Sequence, residues 1–137
     1  MSAKDIYHDQ VKTALERDGW IVTHDPLPLK WGGRDAYVDL GAERLLAQKV
    51  SRKIAVEVKS FVGASEMRDM YTAIGQVILY RSALADVEPD RQTYLAIRET
   101  TYLRLFDQPD GQRLLESEEI RLIVFDPERE EIVLWVP

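Results

Sequence analysis

The stretch SRKIAVEVKSF (residues 51–61) constrains the fold most, because from Ile54 onward apolar side chains recur at every second position. Side chains two apart on an extended chain share a face, so Glu57 and Lys59 project together from the opposite side. This alternation predicts a half-buried strand over residues 52–61. The two charged side chains are either a solvated surface or one edge of a metal site.

A helical pattern follows this strand. Apolar spacing predicts a helix over residues 65–85, with Ser65 as its N-cap, because a serine oxygen can accept a bond from an unpaired N–H of the first turn. The expected buried stripe consists of Met70, Ala73, Ile74, Val77, Ile78 and Leu84.

The segments before the strand are less regular. Residues 3–18 read as a helix that buries Ile6, Val11, Ala14 and Leu15 and stops at Gly19. The next segments are expected to be a strand (20–23), a loop with two prolines and a glycine pair (24–33), a strand (35–40) and a connection able to carry a helical turn (41–50).

Four further elements are expected after the long helix. Residues 93–97 read as a strand, residues 101–117 as one or two short helices, and residues 120–136 as two strands joined by a turn at Asp126 and Pro127. This order predicts an α/β fold in which helices flank a mixed β-sheet. A length of 137 residues is typical of one domain, so residues 1–137 are expected to form a single domain.

The composition excludes several classes of protein. The chain has no cysteine, which rules out disulfides and thiolate zinc sites. It has no apolar run long enough to span a bilayer, no signal-peptide pattern and no glycine-rich phosphate loop after its first strand. We therefore expect a cytoplasmic protein without membrane association.

The charge is negative overall but unevenly distributed. A net charge of −6 argues against tight, indiscriminate binding to DNA, which depends on Lys and Arg neutralising phosphates. Residues 30–59 hold seven Lys/Arg against four Asp/Glu, whereas residues 86–137 hold six against thirteen. A nucleic-acid face is therefore expected on the first segment, unless the asymmetry is only a feature of a solvated surface.

A second carboxylate lies in the preceding predicted strand. If the two strands pair, Asp39 becomes a neighbour of Glu57, and two close carboxylates repel unless one holds a proton or a cation binds both. Mg²⁺ (or Mn²⁺) suits such a place, because Mg²⁺ takes one or two carboxylates and keeps waters and phosphate oxygens. Lys59 adds a positive charge for an attacking water, and Gln76 is a polar side chain within a largely apolar helix.

Each of these residues also has a structural interpretation. Glu57 and Lys59 are equally consistent with an exposed, weak ion pair, and Gln76 with a surface position. Tyr80 lies on the same helical face as Gln76, and Glu16 and Glu43 are further acids whose role the sequence leaves open. His8 and His24 lack metal-ligand spacing, and we expect both at the surface.

The joint pattern resembles the PD-(D/E)XK nuclease superfamily, which has the restriction-endonuclease-like fold. The matching residues are Asp39, then Glu57-Val58-Lys59, then Gln76, with Glu16 as an optional extra acid. The resemblance implies Mg²⁺ bound by Asp39, Glu57 and the Val58 carbonyl, with Lys59 and Gln76 positioning water or phosphate. Val38 stands where the superfamily often has proline.

A second resemblance covers nearly the whole chain. Five ordered blocks are similar to the XisH family of element excision controlling factors: YVDLGAERLLAQK, KIAVEVKSF, AIGQVILYR, YLAI and IRLIVFDPEREEIVLWV. This resemblance implies a role near programmed DNA rearrangement, with DNA and an XisI-type protein as partners. A homodimer is a further assembly that it allows, since nucleases of this fold often cut two strands as dimers.

Two hypotheses of different classes follow. In the first, the chain is a metal-dependent endonuclease that hydrolyses phosphodiesters. In the second, it is a non-catalytic regulatory or binding module that keeps the fold and works by docking to an XisI-type protein, with the acidic residues 86–137 as the docking surface.

Overall fold

The computed structural model describes residues 4–137, and within them helices cover both faces of a six-stranded mixed sheet. The helical segments are α1 (His8–Arg17), α2 (Glu66–Val87), α3 (Glu99–Thr101), a π-helical turn (Tyr102–Phe106) and α4 (Pro109–Ser117). The strands are β1 (Ile21–His24), β2 (Leu27–Trp31), β3 (Arg34–Val38), β4 (Leu40–Leu46), β5 (Lys49–Val58), β6 (Arg91–Arg98), β7 (Arg121–Asp126) and β8 (Glu131–Val136). The predicted α/β class with a mixed, helix-flanked sheet is confirmed.

The sheet order places β5 at the centre. The order is β1-β4-β5-β6-β7-β8, in which β5, β6 and β7 run parallel and the other neighbours are antiparallel. β2 and β3 form a separate two-stranded sheet. The parallel pair β5–β6 requires a crossover, and α2 supplies it.

From Ile54 to Val58 both faces of β5 are buried, so the prediction of a half-buried strand is wrong for these residues, whereas residues 49–52 are exposed. Ile54, Val56 and Val58 share a core with α1, as predicted for one face. Ala55, on the other face, packs with α2 residues in a second core. The reason is that β5 and β6 are parallel, so the helix that joins them, α2, must cross one face of the sheet and cover it.

Helix α2 follows the prediction closely. The Ser65 hydroxyl accepts a hydrogen bond from the Arg68 N–H at 3.2 Å, which confirms the N-cap, and the helix continues to Val87. Ile78 is 39% exposed, however, and Tyr80 is buried in its place. The stripe therefore lies further round the helix than apolar spacing alone indicated.

The N-terminal helix is shorter than predicted. It begins at His8, and Ile6 is exposed instead of buried, while residue 3 lies outside the described residues. His8 takes the inward position and is only 3% exposed, so its predicted surface location is wrong. The reason is that His8 lies three residues before Val11 and seven before Leu15, hence on the helical face that packs against the sheet.

The predicted loop over residues 24–33 is a β-hairpin arm. β2 pairs antiparallel with β3, and Gly32 and Gly33 form the turn with φ angles of +56° and +78°. Two positive φ angles in succession are typical of a two-residue hairpin turn, which glycine adopts without strain. Pro28 is tolerated because this sheet has only two strands and hence only edges.

Of the two predictions between residues 35 and 50, the strand is confirmed only as far as Val38 and the connection is wrong. The strand expected over 35–40 breaks at Asp39, where the chain bends, so Val38 and Leu40 enter cores on opposite faces of the large sheet. The segment expected to carry a helical turn is β4, which pairs with β5 and reaches it through a turn at Ala47 and Gln48. Pairing with β5 outweighs the weak local preference.

The C-terminal third matches its prediction, with β6, the short helices and the β7–β8 hairpin in the expected places. Within residues 4–137, none of the helices combines the length and the hydropathy needed to cross a membrane.

Candidate functional site

The structure brings Asp39 and Glu57 together where β4 begins and β5 ends. The Asp39 N–H donates to Glu57 Oε1 at 3.2 Å, and the Val58 N–H donates to Asp39 Oδ2 at 2.8 Å. The bend at Asp39 makes this possible, because it frees the Asp39 side chain from the alternation of the strand and turns it toward the backbone of β5. Each carboxylate therefore accepts a bond from the backbone of the neighbouring strand segment, Glu57 from Asp39 and Asp39 from Val58.

Glu57 is not part of a solvated surface. It is only 6% exposed, and burial followed by the neighbouring Asp39 charge raises the pKa of Glu57 to about 9. Burial also raises the pKa of Asp39, although the Val58 N–H and the Glu57 carboxyl oppose that shift. At neutral pH, Glu57 therefore keeps its proton unless a positive charge enters the pair.

Two side chains of α2, Tyr80 and Gln76, lie over the Glu57 side of the acid pair. The Tyr80 hydroxyl donates to Glu57 Oε2 at 3.4 Å, and burial together with the two carboxyl groups raises the pKa of Tyr80. Gln76 lies one turn earlier on the same face and lowers the Tyr80 pKa through a side-chain hydrogen bond. The Gln76 Oε1 atom is buried and has no hydrogen-bond partner among the residues described.

Lys59 follows Glu57 on the same edge of the sheet. Its N–H donates to the Ala96 carbonyl at 3.1 Å, which continues the parallel ladder between β5 and β6 by one residue. The alternation of side chains therefore extends to Lys59 and places it on the Glu57 side. Backbone groups alternate likewise, so the Val58 carbonyl points to the same edge as the Val58 N–H, toward Asp39.

Two predicted acidic contributors lie elsewhere. Glu16 is exposed on α1, and no hydrogen bond joins it to Asp39 or Glu57. Glu43 lies on β4, where a carboxylate oxygen is 3.8 Å from the Arg91 guanidinium. Asp39, Glu57, Val58, Lys59, Gln76 and Tyr80 thus converge on one region, and Glu16 and Glu43 do not.

Sequence reasoning missed a group of residues next to the acid pair. His8 Nε2 lies 2.7 Å from Asp25 Oδ1, and the Lys12 ammonium donates to Asp25 Oδ2 at 2.9 Å. Asp5 Oδ2 accepts a bond from the Ser60 N–H, directly after Lys59. His8 lowers the pKa of Asp39 and Asp5 raises it, so both lie within electrostatic range of the pair.

A signal for His8 was present in the sequence. His8, Val11 and Leu15 are spaced as neighbours on one helical face, so the same spacing that buries Val11 and Leu15 indicates that His8 is buried too. Asp5 had no such signal, because its contact with Ser60 joins residues 55 positions apart.

The donor set of the site is small. Within residues 4–137, no group of three or more His, Cys, Asp or Glu side chains is arranged to hold a metal ion. Two carboxylates and a backbone carbonyl nevertheless suit Mg²⁺, which takes few protein ligands and keeps several waters. A cation there would remove the repulsion that raises the Glu57 pKa, and the unpartnered Gln76 oxygen is an acceptor for a water at the same site.

The chain is similar to a known family and to solved structures. The model of the XisH protein family matches residues 1–133. A crystal structure of an XisH family protein from Nostoc punctiforme PCC 73102 is 39% identical, with a TM-score of 0.88 over 97% of this chain and 100% of that chain.

A second crystal structure is that of an fdxN element excision controlling factor protein from Anabaena variabilis. It is 41% identical, with a TM-score of 0.88, and the alignment covers 98% of this chain and 100% of that chain. No curated protein matches the sequence. Since the family model covers nearly every residue and both structures align over their whole length, the chain belongs to the XisH family.

Proposed function

We propose that this protein is a metal-dependent, endonuclease-like member of the PD-(D/E)XK superfamily, with the restriction-endonuclease-like fold, that acts on DNA in the control of element excision. The observation that carries the proposal is the buried pair Asp39–Glu57, with Lys59 two residues further along the same edge. Burying two acids side by side costs stability, so a chain that keeps them has a use for their charge.

The Mg²⁺ or Mn²⁺ ion would be held by Asp39, Glu57 and the Val58 carbonyl, where it supplies a Lewis acid for phosphodiester hydrolysis. The bonds from the Asp39 N–H to Glu57 and from the Val58 N–H to Asp39 pre-position the carboxyl oxygens, so little ordering is left to occur on binding. The Tyr80 hydroxyl fixes the second oxygen of Glu57.

The remaining residues act on water and phosphate. The Lys59 ammonium orients the attacking water and attracts the negative charge that develops on the phosphoryl oxygens. The Gln76 amide positions the same water or a non-bridging phosphate oxygen through its free Oε1 or its N–H groups. The role in excision rests on the Anabaena variabilis relative, which is described as an fdxN element excision controlling factor.

The test is cleavage of DNA by purified protein in the presence of Mg²⁺ or Mn²⁺, compared with Glu57→Gln and Lys59→Ala. Both variants are expected to lose at least about 100-fold in rate, because each removes a group that acts in the transition state. Glu43→Gln is the matched control, since Glu43 is an acid of the same sheet outside the site. Equal cleavage by all four proteins would show that a contaminant or another site is responsible.

The alternative function is a non-catalytic regulatory factor that docks to an XisI-type protein. The observation that favours it is the charge of residues 86–137, with thirteen acids against six basic residues, which suits a basic protein surface better than DNA. Co-purification with an XisI-type protein that withstands Glu57→Gln but fails after charge reversal of several acids in this segment would support the regulatory role over hydrolysis.

A further inference from the structure

The face of α2 that points away from the sheet is exposed and largely uncharged. Its members are Arg68, Tyr71, Thr72, Gly75, Ile78, Leu79, Ser82 and Asp86, all of them exposed. Between Arg68 and Asp86 no charged residue lies on this face, although 31% of the chain is charged. Tyr71 is 68% exposed, Ile78 39% and Leu79 37%. A solvent-exposed helix normally carries charge on its outer face, so this face is unusual.

Gly75 lies at the centre of the face, and nothing outside its own stretch of helix crowds it. A Cβ atom built on Gly75 would have no other atom within 4 Å. A glycine inside a helix costs about 1 kcal/mol relative to alanine. A residue without a side chain at the middle of an apolar helix face allows the backbone of another helix to approach closely.

An apolar groove borders the face. Its volume is about 690 Å³, and it is lined mainly by Met67, Met70, Tyr71, Ile74, Ile78 and Leu114. Methionine and aromatic side chains are enriched where one protein surface packs against another. The groove offers a place for apolar side chains that enter from a facing helix.

We propose that this face of α2 is a homodimer interface, in which α2 of a second copy crosses it antiparallel with the two Gly75 residues at the crossing point. The occupant is a second copy because the face is complementary to itself. Tyr71 and Leu79 lie four residues on either side of Gly75, so a two-fold axis at Gly75 sets each against the other. Thr72 and Ile78, three residues on either side, face each other in the same way.

The charges at the two ends of the face identify the direction of pairing. Arg68 ends the uncharged stretch on one side and Asp86 ends it on the other. In the antiparallel arrangement, Arg68 of one copy faces Ser82 of the second copy, four residues before Asp86 on the same face, and this happens twice. A parallel arrangement would instead set like charges together, and those repel.

The proposal does not depend on hydrolysis. Tyr80 contacts Glu57 from the buried side of the same helix and Gln76 bonds Tyr80, so the interface leaves the candidate site open. A dimer without nuclease activity and a nuclease without the dimer are both consistent with the fold, and separate measurements distinguish them.

The first test is the molar mass of the full chain in solution, by sedimentation equilibrium over a wide range of protein concentration. The wild-type chain is expected to shift from monomer to dimer as its concentration rises. Ile78→Glu is expected to stay monomeric, because it buries a charge in the interface, while its circular dichroism spectrum is unchanged since Ile78 is exposed. Leu46→Glu is the matched control, since Leu46 is 73% exposed on the β4–β5 hairpin, and it should dimerise like wild type.

The second test addresses the pairing itself. Arg68→Asp and Asp86→Arg are each expected to raise the dimer dissociation constant several-fold, and the double variant Arg68→Asp/Asp86→Arg is expected to restore it. Wild-type protein that remains monomeric throughout, or whose monomeric form binds another protein through this face, overturns the proposal. So does a dimer that withstands Ile78→Glu, because it uses another surface.

Discussion

At the scale of single residues, the alternation of side chains predicted on which side of β5 Glu57 lies, but it did not predict that Glu57 is buried. The alternation placed Glu57 and Lys59 on one side of a strand, and the ladder to Ala96 extends far enough to keep them there. Alternation could not indicate that this side is covered, because the cover comes from α2, which contributes Tyr80 over the Glu57 carboxyl. Burial is what turns an ordinary surface acid into one with a pKa of about 9.

A dependence of stability on pH follows from this pKa. Between the ordinary value of 4.5 and about 9, the folded chain holds a proton on Glu57 that the unfolded chain releases. The free energy of unfolding is therefore expected to fall as pH rises through this range, since the unfolded state binds fewer protons. The loss should amount to about 2–4 kcal/mol, given about 1.4 kcal/mol per unit and partial relaxation of the site.

Urea denaturation at several pH values in this range, without divalent metal, measures the effect. Glu57→Gln should remove most of the dependence and should be more stable than wild type at the alkaline end, because the amide keeps the volume without the charge. Glu43→Gln serves as the control and should follow the wild-type curve. An unchanged slope in Glu57→Gln would mean that Glu57 is ionised in the folded chain.

At the scale of elements, the helices follow from local pattern and the strands largely do not. The length of α2 and its Ser65 cap are visible in the sequence, since both depend on neighbours within a few residues. β4 was taken for a connection, because its residues LGAERLL have no strong strand preference and become a strand only beside β5. Asp39 ends one strand and precedes the next for the same reason, since the bend is set by two different pairings.

Two helical glycines should respond in opposite ways to the same substitution. A Cβ at Gly111, in α4, would lie 2.4 Å from the Leu105 carbonyl oxygen and 2.5 Å from Phe106 Cα, so the π-helical turn and α4 would have to move apart. Gly111→Ala is expected to cost about 3 kcal/mol. Gly75→Ala, which meets no atom, is expected to stabilise the monomer by about 0.5–1 kcal/mol.

Denaturant unfolding of both variants at low protein concentration, where the chain is monomeric, checks this pair of values. Gly75→Ala should also raise the dimer dissociation constant, because the added methyl group separates the facing helices. Similar stability of the Gly111→Ala and wild-type chains would indicate that α4 packs more loosely on the π-helical turn than the structure has it.

At the scale of the whole molecule, the carboxyl ends of β5 and β6, the start of β4 and the beginning of α1 meet at one edge. Asp5 accepts a bond from the N–H of Ser60, which follows β5, and Arg98, the last residue of β6, donates to the Ser60 carbonyl at 3.0 Å. His8 reaches Asp25 across the same edge. The acid pair is therefore supported from several distant parts of the chain, which suits a site that must keep its geometry while charge enters it.

Divalent metal should stabilise the folded chain in a pH-dependent way. An ion that binds the native acid pair raises the melting temperature, and binding requires the ionised form of Glu57. The shift with Mn²⁺ is therefore expected to be several degrees and to increase as pH rises toward about 9, where less of the binding energy is used to displace the proton.

Differential scanning fluorimetry measures the melting temperature of the wild type and of Asp39→Asn, each with Mn²⁺ and in buffer without divalent metal. Asp39→Asn should show no shift, because it removes one of the two carboxylates. A shift of equal size in both proteins would place the ion elsewhere on the surface.

The sequence by itself determined the elements whose signals are local and the residue types of the site. Apolar spacing predicted α2, the short C-terminal helices and the β7–β8 hairpin, and the order Asp39, Glu57, Lys59, Gln76 was readable from their positions on predicted elements. The five blocks that resemble the XisH family were readable too, and the family model and both related structures confirm that membership.

Only the tertiary structure decided which of these side chains meet and which are buried. Whether Glu57 faces water depends on α2, whether residues 40–46 form a strand depends on β5, and whether His8 is inside depends on where α1 starts and what it covers. These outcomes depend on contacts between residues far apart in the chain. The free energy of such contacts comes from desolvation and pairing in three dimensions, which local periodicity does not record.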